Sequence, residues 1–263
     1  FVPFNAPHSP SSSNQVPPGI RGEFENNRWA QTFAMDQAIG DIIASLKRHG
    51  LYDNTLLIFL NDNGGVDTNG PYRNGKGSYY EGGVRVPCRI RWHARISDPG
   101  DVDAMVHAVD FYPTLIKVAG ASHRQGLPVD GRDMTGLWDD REGFVRDEIP
   151  FSLDVIRKDQ WKLIKKGESF YGAAAQERAL TPNVDELYDI ENDPGEENNL
   201  ASAHPQIVES LKEQLDNYAA EAREPEPQET IPGTPAIYGR EEAASFPGVD
   251  FQAVGGVYNI IQR

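Results

Sequence analysis

Cysteine is all but missing from this chain. Cys88 is the only one in 263 residues, so no internal disulfide can form. That says little about compartment, because many exported bacterial proteins lack disulfides. Positive charge is scarce too: 25 Lys and Arg stand against 40 Asp and Glu, for a formal net charge of −15. Such a balance argues against nucleic acid and anionic membrane surfaces as general partners. An anionic substrate would have to be drawn by a local cationic cluster against the global field. No apolar run reaches the roughly 18 residues of a membrane-spanning helix, and there are no internal repeats. No signal peptide is visible, since the chain opens on Phe1-Val2-Pro3-Phe4 and not on Met and a basic segment. Phe1 therefore reads as the inside of a longer protein. The length suits one large domain or two smaller ones.

The most informative stretch runs from Asn54 to Pro87. Thr55 to Leu60 is a short apolar run closed by Asn61-Asp62-Asn63-Gly64-Gly65, the pattern of a fully buried strand of a parallel sheet. Ligands of open α/β sheets sit beyond the carboxyl ends of such strands. Asp62 and Asn63 fall there and offer a carboxylate and an amide carbonyl, hard oxygen donors of the kind Ca²⁺ or Mg²⁺ prefers. Without a metal the same residues are good turn chemistry. Lys76 lies between Gly75 and Gly77 on a permissive loop. Oxygen donors for a divalent cation followed by a loop lysine suit an oxyanion ester as substrate. The alternative for Lys76 is a solvated charge. Arg73 is a second cation that could face substrate, or it could pair with Glu81 or a neighbour.

Around this stretch the elements read as follows. Phe1 to Pro10 is a strand end breaking into a proline-rich loop that holds His8 and continues to Arg21. Glu23 to His49 is a helix with Met35, Ile39, Ile42 and Leu46 on one face, His49 as a cap and Gly50 beyond it. Val84 to Trp92 is a strand with Cys88 on its apolar side, an inert thiol. Met105 to Gly120 holds a helix, with Asp110 able to cap and Pro113 in its first turn. Ile149–Arg157 and Gln160–Lys166 read as paired strands, and Glu186–Ile190 as another. Glu191 to Asn199 lacks the ligand alternation of an EF-hand and reads as a solvated loop. Pro205 opens a helix with Ile207, Val208, Leu211, Leu215 and Tyr218 on one face. His93, His107 and His123 show no ligand spacing and read as structural or solvated.

Several pieces, in this order and spacing, resemble the sulfatases, in particular the arylsulfatase-type enzymes of the alkaline-phosphatase superfamily. They are Asn54-Thr55-Leu56, Asp62-Asn63-Gly64-Gly65, Gly70-Pro71-Tyr72-Arg73, Gly75-Lys76-Gly77, Tyr80-Glu81-Gly82-Gly83 and Val84-Arg85-Val86-Pro87. The likeness covers roughly Phe1 to Tyr218. It implies an α/β fold: an alkaline-phosphatase-like mixed or parallel sheet flanked by helices, with a smaller C-terminal antiparallel sheet plus helix. Residues 1–140 would be the C-terminal part of the catalytic domain, 141–222 the small α+β subdomain and 223–263 an extended tail.

The implied activity is sulfate-ester hydrolysis, with Asp62 and Asn63 ligating Ca²⁺ (Mg²⁺ being the alternative). Lys76 would bind sulfate, His8 would hold sulfate or assist the leaving group, and Arg73 is a candidate for substrate contact. The implied nucleophile is a formylglycine made within a Cys/Ser-x-Pro-x-Arg motif. Neither Cys88-Arg89-Ile90-Arg91 nor Ser9-Pro10-Ser11 satisfies that motif. It is expected, with two further metal carboxylates, in an N-terminal half outside these residues. The expected substrate is a sulfated small molecule or glycan, and the expected location periplasmic, secreted or lysosomal. Two other readings remain: a phosphoryl hydrolase of the same superfamily, and a non-catalytic glycan-binding relative. Nothing in the sequence fixes an oligomeric state.

Overall fold

Helix α1 (Asn27–Arg48) begins where the Asn26 side chain accepts the Trp29 N–H at 3.0 Å. Residues from Glu23 to Glu25, expected to be helical, precede this cap, and Phe24 packs on Phe33 with ring centroids 5.2 Å apart. The helix ends as expected: His49 caps it, its ring nitrogen 2.8 Å from the Ser45 carbonyl, and Gly50 turns at φ +66°. Met35, Ile39 and Leu46 are half-buried, but Ile42 is exposed and Ile43 takes its place on that face. The computed structural model describes residues 1–8, 16–66, 68–97, 100–123, 128–138, 143–144, 146–168 and 183–222, with the backbone of 253–254 and 257–258. The chain divides into two compact units: Phe1–Asp53 with Pro225–Arg263, and Asn54–Glu224. Most of the tail 223–263 lies outside the described residues; within it β7 (Ala253–Val254) and β8 (Val257–Tyr258) pair antiparallel.

In the second unit, β1 (Leu57–Leu60) and β2 (Cys88–Arg91) form an antiparallel ladder with Leu60 opposite Cys88 and Ile58 opposite Ile90. This corrects the expected buried parallel strand. Ile58, Phe59 and Leu60 keep 36%, 36% and 41% of their surface, and among the described residues β1 pairs with β2 alone; apolar strand side chains are buried by a layer packed on the face, not by ladder pairing. The expected strand from Val84 is corrected as well: Glu81–Val84 is a single helical turn, α2, and the strand starts at Cys88. Cys88 is half-buried, and burial pushes its thiol pKa up, which keeps it protonated.

Between Met105 and Gly120 a short 3-10 turn (Ala108–Asp110) leads into α3 (Phe111–Val118). The His107 ring accepts the Val109 N–H, and the Asp110 carboxylate accepts the His107 N–H at 2.7 Å. Asp110 is fully buried and also accepts the Arg132 N–H at 2.7 Å and both Nε and Nη2 of Arg146. Thr114 adds a link, donating to the Asp110 carbonyl and accepting from Met134 N–H.

The C-terminal part is a four-stranded antiparallel meander: β3 (Glu148–Pro150), β4 (Val155–Lys158), β5 (Trp161–Ile164) and β6 (Glu186–Asp189). The single strand expected over Ile149–Arg157 is two, joined by a tight turn in which Phe151 N–H meets Val155 carbonyl at 2.8 Å. The β4–β5 turn holds Asp159 at φ +52°. Helix α4 (Pro205–Glu221) covers one face, where Val208, Leu211 and Leu215 bury against Ile156, Leu163 and Leu187. The opposite face carries Val155, Ile164 and Tyr188 and buries Tyr80, the residue just before α2. The small antiparallel sheet plus helix expected from the sequence is thus present.

Leu215 has no exposed surface, so Leu215→Ala should cost about 2–5 kcal/mol in urea denaturation. Arg146→Met, which leaves the buried Asp110 carboxylate without its cation, should cost about 3–5 kcal/mol. Burial, followed by the nearby Arg146 charge, holds the His107 pKa below its ordinary value, with Asp110 pulling the other way. The unfolded state therefore binds more protons below the ordinary value of about 6.5. The cap's contribution is full above that pH and is lost as pH falls through the lower folded value. His107→Asn, which keeps an acceptor, should show a smaller drop in melting temperature between about pH 7 and 5 than the parent.

Candidate active site

The residues singled out around β1 sit on a backbone knot made by glycines. Gly64 N–H bonds the Gly83 carbonyl at 2.9 Å, Lys76 N–H the Gly65 carbonyl at 2.9 Å, and Gly82 N–H the Arg73 carbonyl at 2.9 Å. A Cβ on Gly64 would lie 1.7 Å from the Gly82 carbonyl oxygen. One on Gly75 would lie 2.1 Å from that of Gly65, and one on Gly83 2.2 Å from that of Ser78. Three chain segments, 64–65, 73–78 and 81–83, touch backbone to backbone with no room for side chains. Asn69 closes the knot, its side chain accepting from Gly65 N–H and donating to the Gly65 and Asn74 carbonyls. Asn74, just before Gly75, is left-handed at φ +56°, a conformation that asparagine tolerates better than most residues.

Asp62 and Asn63 follow β1 at the rim of this knot. Asp62 Oδ1 accepts the Asn63 backbone N–H at 3.0 Å and its side-chain amide at 2.9 Å. With the amide hydrogens turned to Asp62, the second carboxylate oxygen and the Asn63 carbonyl oxygen are the remaining acceptors. That donor set fits a hard divalent cation. Two ligands do not make a cage, and no group of three or more His, Cys, Asp or Glu among the described residues could hold a metal ion. Lys76 is half-buried within the knot. His8 belongs to the other compact unit, where it is exposed and its N–H bonds the Asn5 carbonyl at 2.9 Å. Asp67, near this pair in sequence, lies outside the described residues.

Arg73 points its donors at the C-terminal sheet. Its guanidinium bonds the Tyr188 hydroxyl at 2.7 Å and the Glu196 carbonyl at 3.1 Å, lies 4.0 Å from Glu186 and stacks 4.0 Å over the Tyr80 ring. Burial works against its charge, but Tyr188, Tyr80 and Glu186 outweigh that and hold its pKa above the usual value. Arg85, just past α2, lies 3.7 Å from Glu81 and over the Tyr72 ring.

Beneath the knot is a cluster the sequence did not reveal. Lys162, in mid-β5, has no exposed surface. Its ammonium is 3.0 Å from Glu81 Oε1 and 2.9 Å from Glu196 Oε1, and Glu196 Oε2 accepts the Glu81 N–H at 2.6 Å. Arg157 adds a cation 3.8 Å from Glu81. Glu196 was expected in a solvated loop; instead it is fully buried and left-handed at φ +54°. Burial pushes its carboxyl pKa up, with Lys162 opposing. The only trace in the sequence is a lysine inside the apolar run Trp161-Lys162-Leu163-Ile164, and strand alternation, which groups it with Gln160 and Lys166, points it to solvent.

Gly64→Ala forces a methyl onto a backbone carbonyl that cannot move without breaking the knot. It should lower stability by about 1–3 kcal/mol or more and speed amide exchange across 64–83, read by hydrogen-exchange mass spectrometry.

Comparison with known proteins places the chain. A sulfatase family model matches residues 1–121, and the model of the N-sulphoglucosamine sulphohydrolase C-terminal region matches residues 74–221. The uncharacterized sulfatase YdeN of Escherichia coli K12 is 27% identical over 263 aligned residues, covering 81% of this chain and 44% of that protein. The N-acetylgalactosamine-6-O-sulfatase of Bacteroides thetaiotaomicron is 32% identical over 213 residues, 70% of this chain and 40% of that one. A solved structure from a Bacteroides thetaiotaomicron locus for metabolism of glycosaminoglycans superposes with a TM-score of 0.72 at 28% identity, over 82% of this chain and 49% of that one. The chain spans under half the length of these two curated relatives. The glycine knot, the acid–amide pair after β1 and the C-terminal meander lie within the matched regions, and the chain belongs to the sulfatase family, with its alkaline-phosphatase-like fold.

Proposed function

We propose that the protein hydrolyses sulfate esters of a carbohydrate, and that this chain carries one wall of the active site. The observation that carries the reading is the glycine knot, which holds Lys76 and the Asp62–Asn63 pair on one rigid backbone. Hydrolysis of such an ester leaves negative charge on the sulfuryl oxygens and develops more on the bridging oxygen. Fixed cations aimed at those oxygens stabilise the transition state without reorganising. Lys76 is the cation for the sulfuryl group, its backbone pinned at Gly65. Asp62 and Asn63 would hold the divalent cation, Ca²⁺ or Mg²⁺, which when bound polarises a sulfuryl oxygen and supports the nucleophile. His8 keeps the role that the resemblance gives it, a hydrogen-bond donor to sulfate or to the departing oxygen, and rests on that resemblance alone. Arg73 enters by holding the loop next to Lys76, and substrate would meet it at the 37% of its side chain that stays exposed.

The nucleophile, a formylglycine by resemblance, and the remaining metal carboxylates come from residues beyond these. Support for a carbohydrate substrate comes from the names of the relatives, one an N-acetylgalactosamine-6-O-sulfatase, another from a locus for glycosaminoglycans. A substrate of that kind goes with a place outside the cytoplasm: periplasmic, secreted or lysosomal. No helix among the described residues is long and apolar enough to cross a membrane.

The test is turnover of a chromogenic aryl sulfate and of 6-sulfated N-acetylgalactosamine by the full-length protein that contains this chain. Lys76→Ala and Asp62→Asn should each cut kcat by about 10²-fold or more. A chelator should abolish turnover and added Ca²⁺ or Mg²⁺ restore it. The same mutations leaving sulfate hydrolysis intact, or turnover of aryl phosphate in preference to aryl sulfate, would overturn the reading.

A further inference from the structure

Lys162 has no task in the reaction as written, yet it is the most completely buried cation among the described residues. Two carboxylates and an ammonium taken out of water are costly, and apolar residues of similar volume would serve stability as well or better. Glu196 adds a second cost, a non-glycine residue held left-handed. Both costs fall at one place, directly under the glycine knot. What ions supply and apolar contacts do not is direction, since apolar burial is indifferent to orientation.

The links can be followed atom by atom. Lys162 Nζ holds Glu81 Oε1 at 3.0 Å, and Glu196 holds the Glu81 N–H at 2.6 Å, so side chain and backbone of the first residue of α2 are both fixed from below. The next two residues are the floor of the knot: Gly82 N–H bonds the Arg73 carbonyl, and the Gly83 carbonyl takes the Gly64 N–H. Gly65 in turn takes the Lys76 N–H. A second strut runs from Arg73 to the Glu196 carbonyl and the Tyr188 hydroxyl. Glu196 is common to both.

We propose that Lys162 is a positioning residue of the active site: clamped between Glu81 and Glu196, it sets α2 and through it the backbone that carries Lys76 and Asp62–Asn63. The positioning rests on this hydrogen-bond geometry; the reaction it serves rests on the sulfate-ester reading above. The C-terminal sheet is then a template for the site loop as well as a neighbour of it.

The experiment uses the full-length protein in three forms: parent, Lys162→Met, and the compensated triple variant Lys162→Met with Glu81→Gln and Glu196→Gln, in which no carboxylate is left buried without its cation. Each is read by thermal melting, by amide hydrogen exchange over 64–84 against 205–221, and by kcat and KM for an aryl sulfate. The triple variant should melt close to the parent, yet exchange about tenfold faster over 64–84, with 205–221 unchanged. Its kcat should fall about tenfold or more, with KM moving less than about threefold, because small misplacement of catalytic groups weighs on the transition state. A merely structural role gives another pattern: Lys162→Met unstable, and the triple variant restored in stability, exchange and kcat together. That pattern overturns the proposal. If the triple variant does not fold, the isosteric Glu196→Gln, which keeps an acceptor for the Glu81 N–H, must show the same split at smaller size, and parent-like exchange and kcat in it overturn the proposal. Absence of sulfatase turnover in the parent would count against the functional reading alone. Exchange over 64–84 would still decide the positioning, and an unchanged pattern there would overturn it.

Discussion

An ammonium with no access to water cannot stand without partners, and that constraint organises the second unit of this protein. Lys162 projects from β5 on the face opposite α4, among Val155, Ile164 and Tyr188. Its charge is tolerable only because Glu81 and Glu196 reach it from two other segments. Removing one carboxylate would leave the ammonium under-compensated, and removing the ammonium would strand Glu196 and leave Glu81 to the more distant Arg157 and Arg85. Sheet, α2 and the 191–199 loop are therefore held in one arrangement by a single group. The apolar packing of Tyr80 on the same face adds energy but tolerates sliding.

Above this anchor the site loop is stiffened in a different way. The glycine knot uses backbone hydrogen bonds between segments that a methyl group would push apart. Rigidity of this kind would suit the role proposed for Lys76, a cation held still while charge develops in front of it. Asn74 and Glu196, both left-handed, flank the two ends of the construction, and the strain at each is maintained by the bonds around it. In this sense the glycines make the close approach possible, and the ion cluster chooses which close approach is made.

The ladder of β1 and β2 presents the opposite situation. Its side chains are as apolar as those of the C-terminal sheet, yet Phe59 and Leu60 stay exposed, because a strand buries its faces only when layers lie on both of them. Sequence hydrophobicity records the surroundings for which a strand is suited. The burial seen depends on which layers pack against it.

Local patterns were enough to place the two long helices, although α1 starts at Asn27 and not at Glu23, and the single turn α2 was read as loop and strand. His49 and Gly50 mark the end of α1, and the spacing of Val208, Leu211 and Leu215 marks the buried face of α4, because caps and 3.6-residue periodicity are properties of neighbours in sequence. The Asp62-Asn63-Gly64-Gly65 and Gly75-Lys76-Gly77 pieces were legible for the same reason, each being a short run whose chemistry is its own. Three things were decided only by the tertiary structure: the commitment of Arg73 to Tyr188 and Glu196, the burial of Glu196 in a loop of acidic and amide residues, and the meeting of Lys162 with Glu81 across 81 positions. Each depends on which distant segment supplies the partner. A charge in a sequence carries its sign but not its surroundings, and only the fold determines whether it meets water or another charge.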